Sequence, residues 1–336
     1  MDIEHLLHLC VNRHASDLHL SVGIPPVLRI EGELQHTQAT PLSTAQLDSL
    51  LVNIMDEEQQ AHYAEHHDID FALSVSGLAR FRVNVFQQLR GSAAVFRVIP
   101  NQLPDLDTLN APPVLQSICR EPYGLVLVTG ATGSGKSTTL AAMIDSINAT
   151  QARHILTIED PIEFVHQPKQ GLVNQREVAR HTRDFATALR AALREDPDVI
   201  LVGELRDPET IHLALSAAET GHLVLATLHT NTAAQSIHRL VDVFPAGEKS
   251  LVRNQLATSL RAVIAQSLLQ RMGGGRIAAF EIMRCTPAVQ NLIREDKVAQ
   301  IVSAIQTGQA HGMQTLEQAR QCLVQQGLIT APDHLV

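Results

Sequence analysis

The sequence contains no tryptophan and few other aromatic residues, only eight phenylalanines and two tyrosines. Proteins that bind single-stranded nucleic acids stack the bases on aromatic side chains, so this composition argues against such a platform. The charge balance points the same way, because 26 lysines and arginines face 35 aspartates and glutamates, giving a net charge of −9. Binding to a phosphate backbone normally needs a basic excess. We therefore expect no nucleic-acid partner.

Long apolar runs and paired cysteines are also lacking. No uncharged apolar run reaches about 18 residues, so we expect no integral membrane segment. The opening residues MDIEHLLHLC contain two acids and no basic stretch, unlike a secretory signal, which predicts a cytoplasmic protein. The four cysteines lie far apart with no C-x-x-C pair, which predicts reduced thiols and no zinc site.

The length of 336 residues predicts two domains. Residues 1–98 contain short segments of alternating polar and apolar residues, typical of a small α+β domain with an antiparallel sheet. Residues 99–113 hold four prolines, and we interpret them as an interdomain linker. Residues 114–336 predict an α/β domain with a helical pattern from about residue 248 onward. Its apolar runs predict parallel strands buried on both faces, at Leu125–Thr129, Ile155–Ile158, Val199–Val202 and Leu223–Thr227.

The strongest motif is GATGSGKS, which follows the first of these strands and fits G-x-x-x-x-G-K-[ST] in full. Its glycines let backbone N–H groups surround phosphate oxygens, and the following helix adds positive potential at its N-terminus. Lys136 is expected to reach the β- and γ-phosphates, and Ser137 to ligate Mg²⁺. The residues predicted to contact the nucleotide here are Gly130, Thr132, Gly133, Ser134, Gly135, Lys136, Ser137 and Thr138.

Acidic residues follow two other predicted strands. Glu204 comes just after Val199–Val202, where a carboxylate can hold Mg²⁺ or orient water. Glu159 and Glu163 follow Ile155–Ile158 on either side of Pro161, and we expect both to face the same cleft. Which of these acids is the general base stays open.

Histidines lie at both ends of the fourth strand, His222 before it and His229 after it. A histidine near the phosphates could sense the γ-phosphate, since its charge is tunable near neutral pH. The alternative for each is an ordinary buried histidine that is satisfied within the core.

Several motifs together closely resemble the secretion ATPase superfamily, and within it the PilT-type retraction ATPases of type IV pili. GATGSGKST, TIEDPIEF, VILVGELRD and TGHLVLATLHT match its Walker A, Asp box, Walker B and His box motifs. ASDLHL and FRVNVFQQLRG resemble the PAS-like N-terminal domain of this family. The likeness covers nearly the whole chain.

The resemblance implies a RecA-like P-loop ATPase domain and a smaller α+β PAS-like domain, assembled into a homohexamer that hydrolyses ATP. It implies that Glu204 coordinates Mg²⁺, that Glu163 helps activate water and that His229 belongs to the catalytic set. Arginines of the N-terminal domain, among Arg80, Arg82 and Arg97, would act as arginine fingers. The implied partner is an inner-membrane platform protein of the pilus machine, which would hold the ring at the inner membrane, and a paralogous pilus ATPase is a further partner to consider.

The segment PAVQNLIRE at 287–295 resembles the AIRNLIRE segment associated with retraction, but it has Val289 and Gln290 in place of isoleucine and arginine. We expect alanine at Leu292 and Ile293 to block retraction and leave ATP hydrolysis largely intact. The absence of the four-cysteine motif of assembly ATPases favours retraction. Two alternatives stay open: an accessory pilus, secretion or DNA-uptake paralogue, and a nucleotide-switched sensor module.

Overall fold

The computed structural model describes residues 2–99 and 103–330, and the chain divides into two compact units, Met1–Gln102 and Leu103–Val336. The first unit has three helices and six strands in the residues described. Its helices are α1 (Ile3–Asn12), α2 (Thr44–Val52) and α3 (Glu57–His66), and its strands are β1 (Asp17–Ser21), β2 (Val27–Ile30), β3 (Glu33–His36), β4 (Asp68–Val75), β5 (Ala79–Gln88) and β6 (Gly91–Ile99).

The six strands form one antiparallel sheet in the order β3-β2-β1-β6-β5-β4. Over residues 79–85 of β5, buried residues alternate with half-buried polar ones, as expected for a sheet with one face packed on a core. Phe81 and Val83 of β5 pack on that core together with Leu7 of α1 and Leu47 of α2. The predicted α+β organisation of this region with its antiparallel sheet is confirmed.

The second unit is larger and carries the phosphate-loop motif. Its helices are α4 (Val114–Ile118), α5 (Lys136–Thr150), α6 (Phe185–Ala192), α7 (Pro208–Glu219), α8 (Ala233–Asp242), α9 (Lys249–Ser259), α10 (Pro287–Arg294), α11 (Ile301–Thr307) and α12 (Leu316–Gln325). Its strands are β7 (Gly124–Thr129), β8 (His154–Glu159), β9 (Leu172–Glu177), β10 (Val199–Val202), β11 (Leu223–Leu228), β12 (Leu260–Gln270) and β13 (Arg276–Arg284). Part of the predicted linker packs on this unit, since Leu106 is buried in its core.

These strands form one sheet in the order β13-β12-β7-β11-β10-β8-β9, parallel except for β13. Leu125 and Leu127 of β7 belong to the core on one face, while Val126 and Val128 belong to the core on the other. All four predicted strands are present and buried on both faces, so the α/β prediction is confirmed. No helix in the described part of the chain is both long and apolar enough to cross a bilayer.

The helical pattern predicted from residue 248 onward is wrong for residues 260–284. This region forms the hairpin β12–β13, which turns at three consecutive glycines and extends the sheet beyond β7. Both strands are covered on both faces along most of their length, so their apolar residues do not alternate. A buried strand of this kind cannot be distinguished from a buried helix by periodicity alone.

Candidate active site

The phosphate loop connects the carboxyl end of β7 to the first residue of α5. Gly130 has φ +147° and Gly135 has φ +89°, and both lie in the region that favours glycine. Gly135 is the N-cap residue of α5 and provides no side-chain hydrogen bond to the first turn. The N–H groups of that turn are therefore available to an anion, which the helix dipole also favours.

Lys136 follows the loop in sequence, and its side chain extends back into it. Its Nζ donates to the carbonyl oxygens of Gly130 at 2.9 Å and Ala131 at 3.1 Å. Burial lowers its pKa from the ordinary value, and the nearby carboxylates of Glu204 and Glu163 partly offset this effect. The structure thus brings together the lysine and the two acids predicted to be catalytic.

The other loop residues fit a nucleoside phosphate. The hydroxyl of Ser134 is buried and has no hydrogen-bond partner in the part of the chain that the structure describes. A buried hydroxyl without a partner is costly, and phosphate oxygens would satisfy it. Ser137 is exposed in the first turn of α5, and Thr138 beside it is half-buried. Thr132 and Gly133 are exposed at the loop tip.

Glu204 lies just beyond β10, where both of its carboxylate oxygens have basic partners. Arg206 Nη2 lies 2.7 Å from Oε2, and His229 Nε2 lies 3.3 Å from Oε1. Burial alone would raise the pKa of Glu204, but the hydrogen bond from Arg206 and the charges of His229 and Arg206 lower it below the ordinary value. Glu204 is therefore held as a carboxylate, the form that a metal ligand or a base requires.

Glu159 ends β8, and its carboxyl group has a different environment. Burial raises its pKa to about 7, although hydrogen bonds from Thr157 and Gln175 act in the opposite direction. Thr157 Oγ1 donates to Oε1 at 2.6 Å, and Gln175 Nε2 donates to the same oxygen at 3.1 Å. The charge of Glu163 adds to the upward shift of the pKa. The charge of Glu163 therefore acts on Glu159, and the expectation that both acids face the nucleotide cleft stays a prediction.

Residues of β9 that the sequence did not predict to be part of the site hold this loop. Gln175 accepts from the backbone N–H of His166 at 2.8 Å and donates to the carbonyl of Phe164 at 2.8 Å. Glu177 is buried and accepts from the backbone N–H of Ile162 at 3.1 Å. The segment VNQRE has four consecutive polar residues and no alternation that would indicate a strand, and only the parallel pairing with β8 places these side chains beside the loop.

His222 does not lie at the phosphate loop of its own chain. Its backbone carbonyl accepts from the N–H of Gly124, the first residue of β7, whereas the loop follows the last residue of that strand. Its Nδ1 lies 3.0 Å from the carbonyl oxygen of Ala217 near the end of α7. Because β11 runs parallel to β7, His222 lies at the amino ends of these strands, and His229 lies at the carboxyl ends beside the loop. His229 lies at the end of β11 that contacts Glu204. The prediction that His222 contacts the nucleotide is wrong for the phosphate loop of its own chain.

The three arginines predicted as fingers share one face of the first unit's sheet. Arg82 on β5 lies opposite Arg97 on β6, and Arg80 is two residues before Arg82. Arg97 Nε lies 2.9 Å from the buried carboxylate of Asp17, and Arg82 Nη2 lies 2.9 Å from Asp70. Within their own unit, Arg82 and Arg97 are thus ion-paired on the face away from the core.

Helix α10 contains the segment expected to transmit retraction, and its side chains divide between core and surface. Val289 and Ile293 are fully buried in the core that covers one face of the sheet, with Leu292 packed against it. Asn291 and Arg294 are exposed. The expectation that Ile293 belongs to an output surface is therefore wrong, because its side chain is a structural part of the unit.

The fold and the site define a P-loop ATP hydrolase on a mainly parallel sheet. A family model, "Type II/IV secretion system protein", matches residues 2–333, and the chain belongs to this family. It is 57% identical to the type IV pilus retraction ATPase PilT of Pseudomonas aeruginosa, covering 98% of this chain and 96% of that protein. It is 57% identical to a twitching motility protein of Neisseria gonorrhoeae, covering 92% and 82%. A crystal structure of the pilus retraction motor PilT with bound ADP superimposes with a TM-score of 0.92 at 46% identity, covering 99% of this chain and 98% of that one.

Proposed function

We propose that this chain is the ATPase motor that drives type IV pilus retraction and hence twitching motility. The observation that carries the proposal is the convergence of Lys136, Glu163 and Glu204 at the carboxyl ends of parallel strands. This convergence occurs in a chain that is 57% identical, over nearly its whole length, to a pilus retraction ATPase. Proximity of a phosphate-binding lysine and two acids is the minimum that metal-assisted hydrolysis of ATP requires.

Each residue has a distinct part in the proposed reaction. Lys136 would exchange its two carbonyl partners for the β- and γ-phosphates, and the Ser137 hydroxyl and the Glu204 carboxylate would hold Mg²⁺. Mg²⁺ would neutralise charge that develops on the phosphate oxygens. Arg206 and His229 keep Glu204 ionised and fix its orientation. Glu163 is the proposed base for the attacking water, since it is the acid after β8 whose charge acts on Lys136 beside the phosphate loop.

We further propose that six chains form a ring and that arginines from the first unit complete a neighbouring site. Arg97 is the best placed of the three, because its side chain is 66% exposed although it pairs with Asp17. A finger role requires Arg82 and Arg97 to give up their carboxylate partners when ATP is bound. The ring would act in the cytoplasm on an inner-membrane platform protein, alone or with a paralogous ATPase.

A second candidate is an accessory ATPase of a pilus, secretion or DNA-uptake machine. It is favoured by Gln290, which is half-buried where the retraction segment carries an arginine, so one charge is lost from α10. The sensor alternative has no such support, since Glu163 and Glu204 are both in place.

The enzymatic part is tested by Mg²⁺-dependent phosphate release from ATP as a function of protein concentration. A rate per chain that rises and then reaches a plateau supports sites completed by neighbours, and Lys136→Ala should abolish it. A rate that stays constant down to concentrations at which the chain is monomeric would contradict the shared site.

The cellular part is tested by deleting the gene and restoring it. Cells that lack the chain should carry extended pili and fail to twitch, and the wild-type chain should restore movement where Glu204→Gln does not. Normal twitching without the chain would favour the accessory role.

A further inference from the structure

Gln266 of β12 contacts the phosphate loop at both of its ends. A Cβ atom on Gly130 would lie 2.4 Å from the backbone oxygen of Gln266. A Cβ atom on Gly135 would lie 2.8 Å from its side-chain Nε2. Both distances are shorter than any that Cβ atoms tolerate, so the loop lies directly against this residue at its first and last glycine.

The side chain of Gln266 is buried and oriented by α5. Thr139 is fully buried in the first turn of that helix, and its Oγ1 donates to Oε1 of Gln266 at 2.7 Å. An amide oxygen that is held in this way directs the amide nitrogen to the other side, toward Gly135. Burying the polar side chain of a glutamine costs free energy unless its hydrogen bonds are made. Once made, they hold the neighbouring helix and loop in a defined position.

We propose that Gln266 is a positioning residue that holds the phosphate loop and the first turn of α5 in the nucleotide-binding conformation. Its backbone fixes the start of the loop, and its amide fixes the end at Gly135. The loop must keep its N–H groups directed at phosphate oxygens, and a shift of even a few tenths of an ångström would misalign them. The inference rests on the proposed function only in taking residues 130–138 as the nucleotide site.

The proposal predicts a dependence on the chemistry of the side chain as well as on its volume. Gln266→Met keeps the length and removes both polar groups, so the loop loses its support. Gln266→Glu keeps the shape but places a carboxylate oxygen where Nε2 lies, close to bound phosphates. Its effect should therefore be larger at high pH and should diminish as the carboxylate takes up a proton.

The experiment measures the Kd of ADP by calorimetry for the full-length chain, with thermal melting as a check of folding. We expect Q266M to weaken ADP binding by about tenfold, because it removes a buried hydrogen bond to Thr139 and the polar contact beside Gly135. Q266E should bind more weakly than Q266M at pH 8, and the difference should shrink toward pH 5. Thr139→Ser should bind ADP like the wild type, and Thr139→Val should lose about as much affinity as Q266M.

Gln314, which forms an isolated β-bridge with Ile282 of β13, offers a matched control. Its Nε2 donates to the carbonyl of Phe280 at 2.8 Å, and Gln314→Met should leave ADP affinity unchanged. If Q266M binds ADP within about twofold of wild type while Lys136→Ala loses binding, the role of Gln266 is refuted and the loop assignment stands. A Q266E variant with the same affinity relative to Q266M at every pH would also refute it.

Discussion

Replacing Glu159 with glutamine should make the protein more stable at neutral pH. Burial raises the pKa of this carboxyl to about 7 from the usual 4.5. That difference corresponds to about 3 kcal/mol of free energy of unfolding. Glutamine keeps an Oε1 that accepts from Thr157 and Gln175, while its neutral amide removes the repulsion with Glu163.

The sign follows from the direction of the shift. A carboxyl whose pKa is raised by folding contributes stability that is fully present below pH 4.5 and is lost as the pH rises through about 7. Glutamine does not titrate. The stability of Glu159→Gln relative to wild type should therefore be near its minimum at pH 4.5 and rise by up to about 3 kcal/mol by pH 8.

The assay is urea denaturation of the nucleotide-free protein at several pH values between 4.5 and 8, at one fixed protein concentration. Because the chain has no tryptophan whose fluorescence could report unfolding, the loss of helix and strand is followed by circular dichroism. Thr157→Val is a useful companion, since it removes a hydrogen bond to the same oxygen and leaves the carboxyl in place. A constant difference between E159Q and wild type across the whole range would refute the raised pKa.

Three further predictions follow from the described contacts. Burial lowers the pKa of His166 to about 4. The free energy of unfolding should therefore decrease as the pH falls from about 6.5 to 4. Denaturation of His166→Asn over the same range should not show this decrease. Because this slope opposes that of Glu159, the wild-type profile should be flatter than that of either variant. Glu204→Gln should still bind ATP in a filter assay but release phosphate at least about 100-fold more slowly, and normal turnover would remove Glu204 from the mechanism. Ile293→Ala should lose about 2–5 kcal/mol of stability in denaturation experiments because the side chain of Ile293 is fully buried. Arg294 is exposed, so Arg294→Ala should melt like wild type and hydrolyse ATP but fail to restore twitching. An equal loss of ATP turnover in Arg294→Ala would mean that α10 serves the site directly.

Local patterns predict those parts of the fold in which a single segment carries its own signal. The loop from Gly130 to Ser137 is fixed by residue types at set spacing, and the four apolar runs are too short for buried helices. The hairpin β12–β13 lacks such a signal, because both of its faces are covered and its sequence therefore does not alternate as a half-exposed strand does.

The missed site residues depend on the order of strands, which no local pattern contains. Gln175 lies beside Glu159 because β9 pairs with β8, and Gln266 lies beside Gly135 because β12 pairs with β7. His222 shows a related limit. It shares a motif with His229, but the six residues of β11 lie between them, so the two side chains are at opposite ends of that strand. Ile293 could not be assigned to the core until the packing of α10 was known.

The contacts of Lys136 bear on how fast a spent site empties. Its ammonium group holds the carbonyl oxygens of Gly130 and Ala131, so a phosphate that binds here replaces existing bonds and gains less than it would from a solvated lysine. The lysine bonds to the same two oxygens again once ADP has left, which lowers the affinity of the site for ADP. Product release limits turnover in many enzymes. Because the two carbonyl contacts of Lys136 weaken the binding of ADP, they favour its release and the binding of the next ATP.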